Sequence, residues 1–113
     1  MAEAQSEGSG GLVEISPKAA NDLAAIGAYT AQQWGLEQSD RYLDFLLASM
    51  YELANNPTWG KPIRRRPGMF EKVCRWKSAY YAHRVIFETT PLGIHVIRVL
   101  HTSMSLLRHL RKP

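Results

Sequence analysis

Apolar and polar positions alternate along this chain in two rhythms, and the change between them falls near the middle. From Pro17 to Trp34 apolar residues recur every three or four positions. At about 100° per residue, Ala19, Ala20, Leu23, Ile26, Gly27, Thr30 and Trp34 share one face, while Asp22, Ala25, Tyr29 and Gln32 lie outside it. Ser16 is the expected N-cap, Pro17 fits the first helical position, and Gly35 supplies the stop. Gly27 inside the stripe predicts a close approach of a second helix. That helix is expected from about Gln38 to Asn55, with Tyr42, Leu43, Leu46, Met50 and Leu53 inward and Arg41, Asp44 and Glu52 outward. Two such helices with a short connection form an antiparallel hairpin.

Beyond residues 55–69, a loop stretch containing Pro57, Pro62 and Pro67, the period drops to about two. Strands are expected at Phe70–Trp76, Tyr80–Thr89 and Gly93–Leu100, with a turn at Thr90-Pro91-Leu92-Gly93 joining the last two. Leu12–Ile15 is a further short strand, and Ser103–Leu110 reads as a terminal helix. Strict alternation puts Ile94, Val96, Arg98 and Leu100 on one face of the last strand and His95, Ile97, Val99 and His101 on the other. A strand apolar on both faces is covered on both sides. The elements predict an α+β fold, a helical hairpin packed on a small antiparallel sheet.

Composition adds boundaries. At 113 residues the chain suits one domain, expected over residues 12–113, with the polar Gly/Ser-rich residues 1–11 as a disordered tail. One cysteine, Cys74, excludes an internal disulfide framework and fits a reducing cytoplasm. No window is apolar enough to span a bilayer, so no membrane role is expected. The net charge of +4 conceals a strong polarity: residues 1–56 carry two basic and eight acidic side chains, residues 57–113 twelve basic and two acidic. The halves are thus −6 and +10, and the second attracts anions. Arg64, Arg65 and Arg66 in the loop, with Arg75, Arg108 and Arg111, are the expected contacts for an anionic target.

Neither a phosphate loop nor close-spaced metal-ligand pairs occur, and no cofactor is expected. The remaining chemistry is a set of cations and imidazoles on the strands: Lys72, Arg75, Lys77, His83, Arg84, His95, Arg98 and His101. Metal-free RNA cleavage needs a base, an acid and a cation at the phosphate. His83, Arg84 and His101 are the candidates for that chemistry, although a histidine on a strand more often packs or caps. Arg98, in a strand covered on both sides, requires a carboxylate, because an isolated buried charge costs several kcal/mol. Asp22 on the first helix is the expected partner.

The order of these pieces resembles the ParE branch of the RelE/ParE toxin superfamily over about Val13 to Leu110. The resemblance is carried by ISPKAANDLAAIGAYTAQQWG, by Tyr42…Leu46…Leu53-Ala54…Pro57…Gly60, by HRVIF, and by GIHVIRVLHTSM…RHL. It implies a toxin that is restrained by a small cognate antitoxin and, when free, poisons DNA gyrase, a binding protein rather than an enzyme. RelE-like relatives imply the alternative, metal-free cleavage of mRNA on the ribosome. Two departures stand out. Ser105 follows Met104 where the family often has an acid, and KSAYYA before His83 is insertion-like.

Overall fold

A computed structural model describes residues 10–110. The expected tail therefore lies outside the described residues except for its last two positions, as does Arg111. Of those two, Gly11 is buried and donates its N–H to Asn55 Oδ1 at 2.9 Å, so ordered structure begins one residue earlier than expected.

Strand β1 (Leu12–Ile15) leads into helix α1 (Pro17–Trp34) and then α2 (Leu36–Asn55). A 3₁₀ turn (Pro57–Trp59) and the two-residue β2 (Lys61–Pro62) follow, then β3 (Phe70–Trp76), β4 (Ser78–Thr90), β5 (Gly93–His101) and the single-turn α3 (Leu106–His109). The strand order is β1-β5-β4-β3-β2. Neighbours are antiparallel except β1 and β5, which run parallel from Leu12↔Gly93 to Ile15↔Val96. The sheet is therefore mixed rather than antiparallel: after the helical hairpin the chain enters β2 at the far edge, and the β3-β4-β5 meander brings it back so that β5 lies parallel beside β1.

The local signals act as their chemistry dictates. Ser16 Oγ accepts the Ala19 N–H at 3.0 Å and donates to the Ile97 carbonyl at 2.8 Å, so one hydroxyl caps α1 and pins it to β5. Gly35, at φ 100°, is the whole connection between the helices, so α2 starts two residues earlier than its polarity suggests. At Gly27 an added Cβ would come within 3.0 Å of Leu43 Cδ1, and its carbonyl accepts from Ser39 Oγ at 2.8 Å. The expected turn closes with Thr90 opposite Gly93. The Ser103–Leu110 helix shortens to Leu106–His109, with Ser105 as its cap.

One irregularity rearranges the sheet. Phe87 pairs with Val96 and Ile86 with Arg98, which leaves Ile97 as a bulged extra residue in β5. Alternation is inverted beyond it. Ile94, Val96 and Val99 join the helix-side core with Tyr42, Leu46, Met50, Leu53, Val85 and Phe87. Leu100 and Ile97 belong to a second, smaller cluster with Ile63, Ile86 and Leu110 on the opposite face. The expectation that Ile94, Val96, Arg98 and Leu100 share a face fails for this reason. A second register shift, between Arg75 and Trp76, coincides with the KSAYYA stretch. Ala20 and Trp34 of the predicted helix stripe are exposed; Trp34, at 55%, is so because the last turn of α1 lies over an open groove instead of the core.

Candidate functional site: an aromatic groove beside two histidines

The inverted alternation delivers His101 to the helix side, directly across from His83 in the β4–β5 ladder. Their rings meet edge to face with centroids 5.3 Å apart. Both line a groove of about 550 Å³ between α1, Tyr42 of α2 and the end of β5. Ala25, Ile26, Tyr29, Trp34 and Met104 supply most of its walls, and no lysine or arginine is among the described lining residues. Tyr29 is 64% exposed, so the groove presents aromatic surface to solvent.

The two imidazoles are held differently. His83 is buried, and its Nδ1 lies 2.6 Å from the Tyr42 hydroxyl. Burial, reinforced by His101, pushes its pKa down to about 4, against a smaller opposing pull from Asp22. His101 is partly exposed, and its Nδ1 receives the Ser103 backbone N–H at 3.1 Å. A backbone N–H can only donate, so Nδ1 is an acceptor and the ring proton sits on Nε2. The Ser103 hydroxyl, 2.8 Å away, then donates to the same atom.

Arg84, the third member of the nuclease set, points the other way. As the residue between His83 and Val85 it projects from the opposite face, 3.5 Å from Glu71 Oε1, and it donates to the Thr102 carbonyl at 3.1 Å. The structure therefore brings His83 and His101 together and leaves Arg84 apart from them.

The expected structural pair is present in full. Arg98 donates from Nε to Asp22 Oδ2 at 2.8 Å and from its Nη2 nitrogen to Oδ1 at 2.9 Å, a two-pronged pair. The hydrogen bonds it donates to Asp22 raise the arginine pKa further. Asp22 Oδ2 also accepts the Val99 N–H at 2.9 Å, and a third arginine nitrogen reaches the His109 carbonyl at 3.2 Å. One ion pair thereby joins α1, β5 and α3.

Of the expected anion contacts, Arg64, Arg65, Arg75 and Arg108 are exposed. Arg66 is partly buried, spanning from the loop to the Leu110 carbonyl at 3.4 Å. The cations of the arginine loop and α3 thus lie on the face away from the helices, around the smaller cluster. Sequence reasoning missed the groove itself. Ala25, Tyr29 and Trp34 of its wall all belong to α1, but they meet Tyr42, His83, His101 and Met104 from other elements, and only the exposure of large aromatics marks them.

A helical hairpin on a mixed sheet defines a fold class shared with solved toxin–antitoxin structures. One is a chromosomal ParDE toxin–antitoxin system from P. aeruginosa, with TM-score 0.66, 21% identity, and coverage of 81% of this chain and 96% of that one. Another is the RelBE2 toxin–antitoxin complex from Mycobacterium tuberculosis, with TM-score 0.56, 21% identity, and coverage of 80% and 96%. By sequence, the family described as the ParE toxin of the type II toxin–antitoxin system parDE matches residues 13–106. Toxin ParE1 of Caulobacter vibrioides is 30% identical over 96 residues, covering 85% of this chain and 94% of the relative. Toxin ParE1 of Mycobacterium tuberculosis is 33% identical over 98 residues with the same coverage. The chain belongs to the ParE toxin family of type II toxin–antitoxin systems.

Proposed function

We propose that this toxin acts on DNA gyrase in the cytoplasm and is restrained by a cognate antitoxin seated in the aromatic groove. The observation that carries the reading is the family match over residues 13–106. The site chemistry supports it. Cleaving a phosphodiester needs a cation at the developing charge, and the groove offers two histidines with Arg84 turned away to Glu71. Apolar and aromatic walls instead suit an amphipathic helix or strand of a partner. The exposed Arg64, Arg65, Arg75 and Arg108 lie outside the groove and fit an acidic or DNA-bearing target surface. Arg111, outside the described residues, belongs to the same proposed set.

Adding the protein to a supercoiling reaction, and separately to a translation reaction with primer-extension mapping, tests the target. Blocked supercoiling with intact mRNA is the expected result; codon-phased mRNA cuts would instead establish the RelE-like activity. His83→Ala with His101→Ala should leave gyrase inhibition largely intact. Ala25→Glu should weaken capture by the cognate antitoxin, leaving gyrase inhibition in place.

A further inference from the structure

A second aromatic site lies on the outer edge of β3. Trp59, in the 3₁₀ turn, is 53% exposed. It forms a shared wall of two grooves of about 370 and 220 Å³, together with Lys72 and Val73. Lys61 and Arg84 line the larger groove and Arg75 the smaller. The acids present are Glu71, engaged by Arg84 at 3.5 Å, and Glu52 at the α2 side of the smaller groove. Four cations against two acids leave the edge positive, with an indole at its centre.

We propose that these paired grooves bind a single-stranded nucleic-acid segment. A base stacks on the Trp59 indole, and the flanking phosphates meet Lys61 and Lys72 on one side and Arg75 on the other. An exposed aromatic platform set among cations that track a backbone is the arrangement that single strands require. The edge location would also suit an acidic peptide added as a strand, but the backbone opposes that occupant. Continuing the β2–β3 register from Lys61↔Glu71 brings Trp59 level with Val73. The 3₁₀ turn, closed by the Trp59 N–H to the Asn56 carbonyl at 2.9 Å, fills the place a further strand would take. A nucleotide needs only the face of the ring. This inference does not depend on the identity of the toxin's target.

Anisotropy of a labelled oligothymidylate of roughly 12 nucleotides, a length within the usual single-strand site range, tests it with the full chain. At low salt it should bind, and more tightly than the duplex of the same length. Trp59→Ala should weaken binding about tenfold, in line with the loss of one base stack, and Trp59→Phe should restore most of it. Lys61→Glu with Lys72→Glu should abolish binding, with far-UV circular dichroism unchanged. Four results would overturn the proposal. They are no binding at low salt, equal binding by Trp59→Ala, loss on Arg64→Glu with Arg65→Glu but not on Trp59 substitution, and displacement of the oligonucleotide by a polyglutamate peptide at lower charge concentration.

Discussion

The two faces of the sheet are covered in different ways. On one face the helical hairpin seals a broad core around Tyr42, Leu46, Met50, Val85, Phe87 and Val96. On the other, a loop and one turn of helix lie over Ile63, Ile86, Leu100 and Leu110. The first cover is acidic in composition and is built from two long elements. The second carries the arginines and is held by tethers such as Arg66 to the Leu110 carbonyl. The difference teaches that stability and charge are assigned to opposite sides. A thick apolar layer leaves the thin face free to carry cations at little cost to the core.

Core truncation tests that contrast most strongly. Leu46→Ala, at a fully buried position, should cost about 4 kcal/mol in urea unfolding, whereas Leu110→Ala in the smaller cluster should cost about 2. Equal losses would break the comparison. Asp22→Ala should come next, at about 3 kcal/mol, because it strands a partly buried guanidinium and leaves the Val99 N–H without its acceptor. Its effect should exceed that of Leu110→Ala if the ion pair is what binds the thin face to the thick one.

Acid should act on the helix side through His83. The pKa of His83 is about 4 in the folded chain and near 6.5 when exposed, so the unfolded state binds the extra proton between those values. The contribution of neutral His83 is complete above pH 6.5 and is lost as pH falls towards 4. The loss is on the order of 3 kcal/mol. Replacement by Gln should flatten that part of the stability profile. The smallest effect belongs to the tether: Arg66→Ala should cost under about 1 kcal/mol while raising amide exchange at Leu110.

Much of this division was legible beforehand. Ser16-Pro17 and Gly35 mark the limits of α1 through capping chemistry that acts locally. The Pro91 turn fixes the last hairpin in the same way. Arg98 could be matched to Asp22 because a covered charge demands a counter-charge and the chain offers few acids. What stayed hidden is non-local. Nothing about Ile97 itself announces a bulge, since an isoleucine suits a regular strand equally well. The parallel pairing of β1 follows from the path of the whole chain from the helices through β2, β3 and β4 to β5, and β2, with Lys61 and Pro62, is too short to leave a periodic trace. The groove was out of reach for a related reason. Trp34 looks like a core residue, and Tyr29 like an ordinary outward one, until the end of α1 is seen to overhang the sheet.

The extra residue at Ile97 behaves like a frameshift in how the strand is read by its neighbours. Upstream the helices read Ile94 and Val96; downstream they read Val99 and His101. Were Ile97 to pair as a regular ladder residue, the same letters would be read in the other frame, sending Leu100 towards the groove and His101 towards the arginine loop. The histidine pair thus depends on the bulge as much as on the identities of its residues. Loss of Ile97 would abolish the bulge yet keep Val99 and His101 on the helix side, because the remaining residues then alternate regularly in the observed frame.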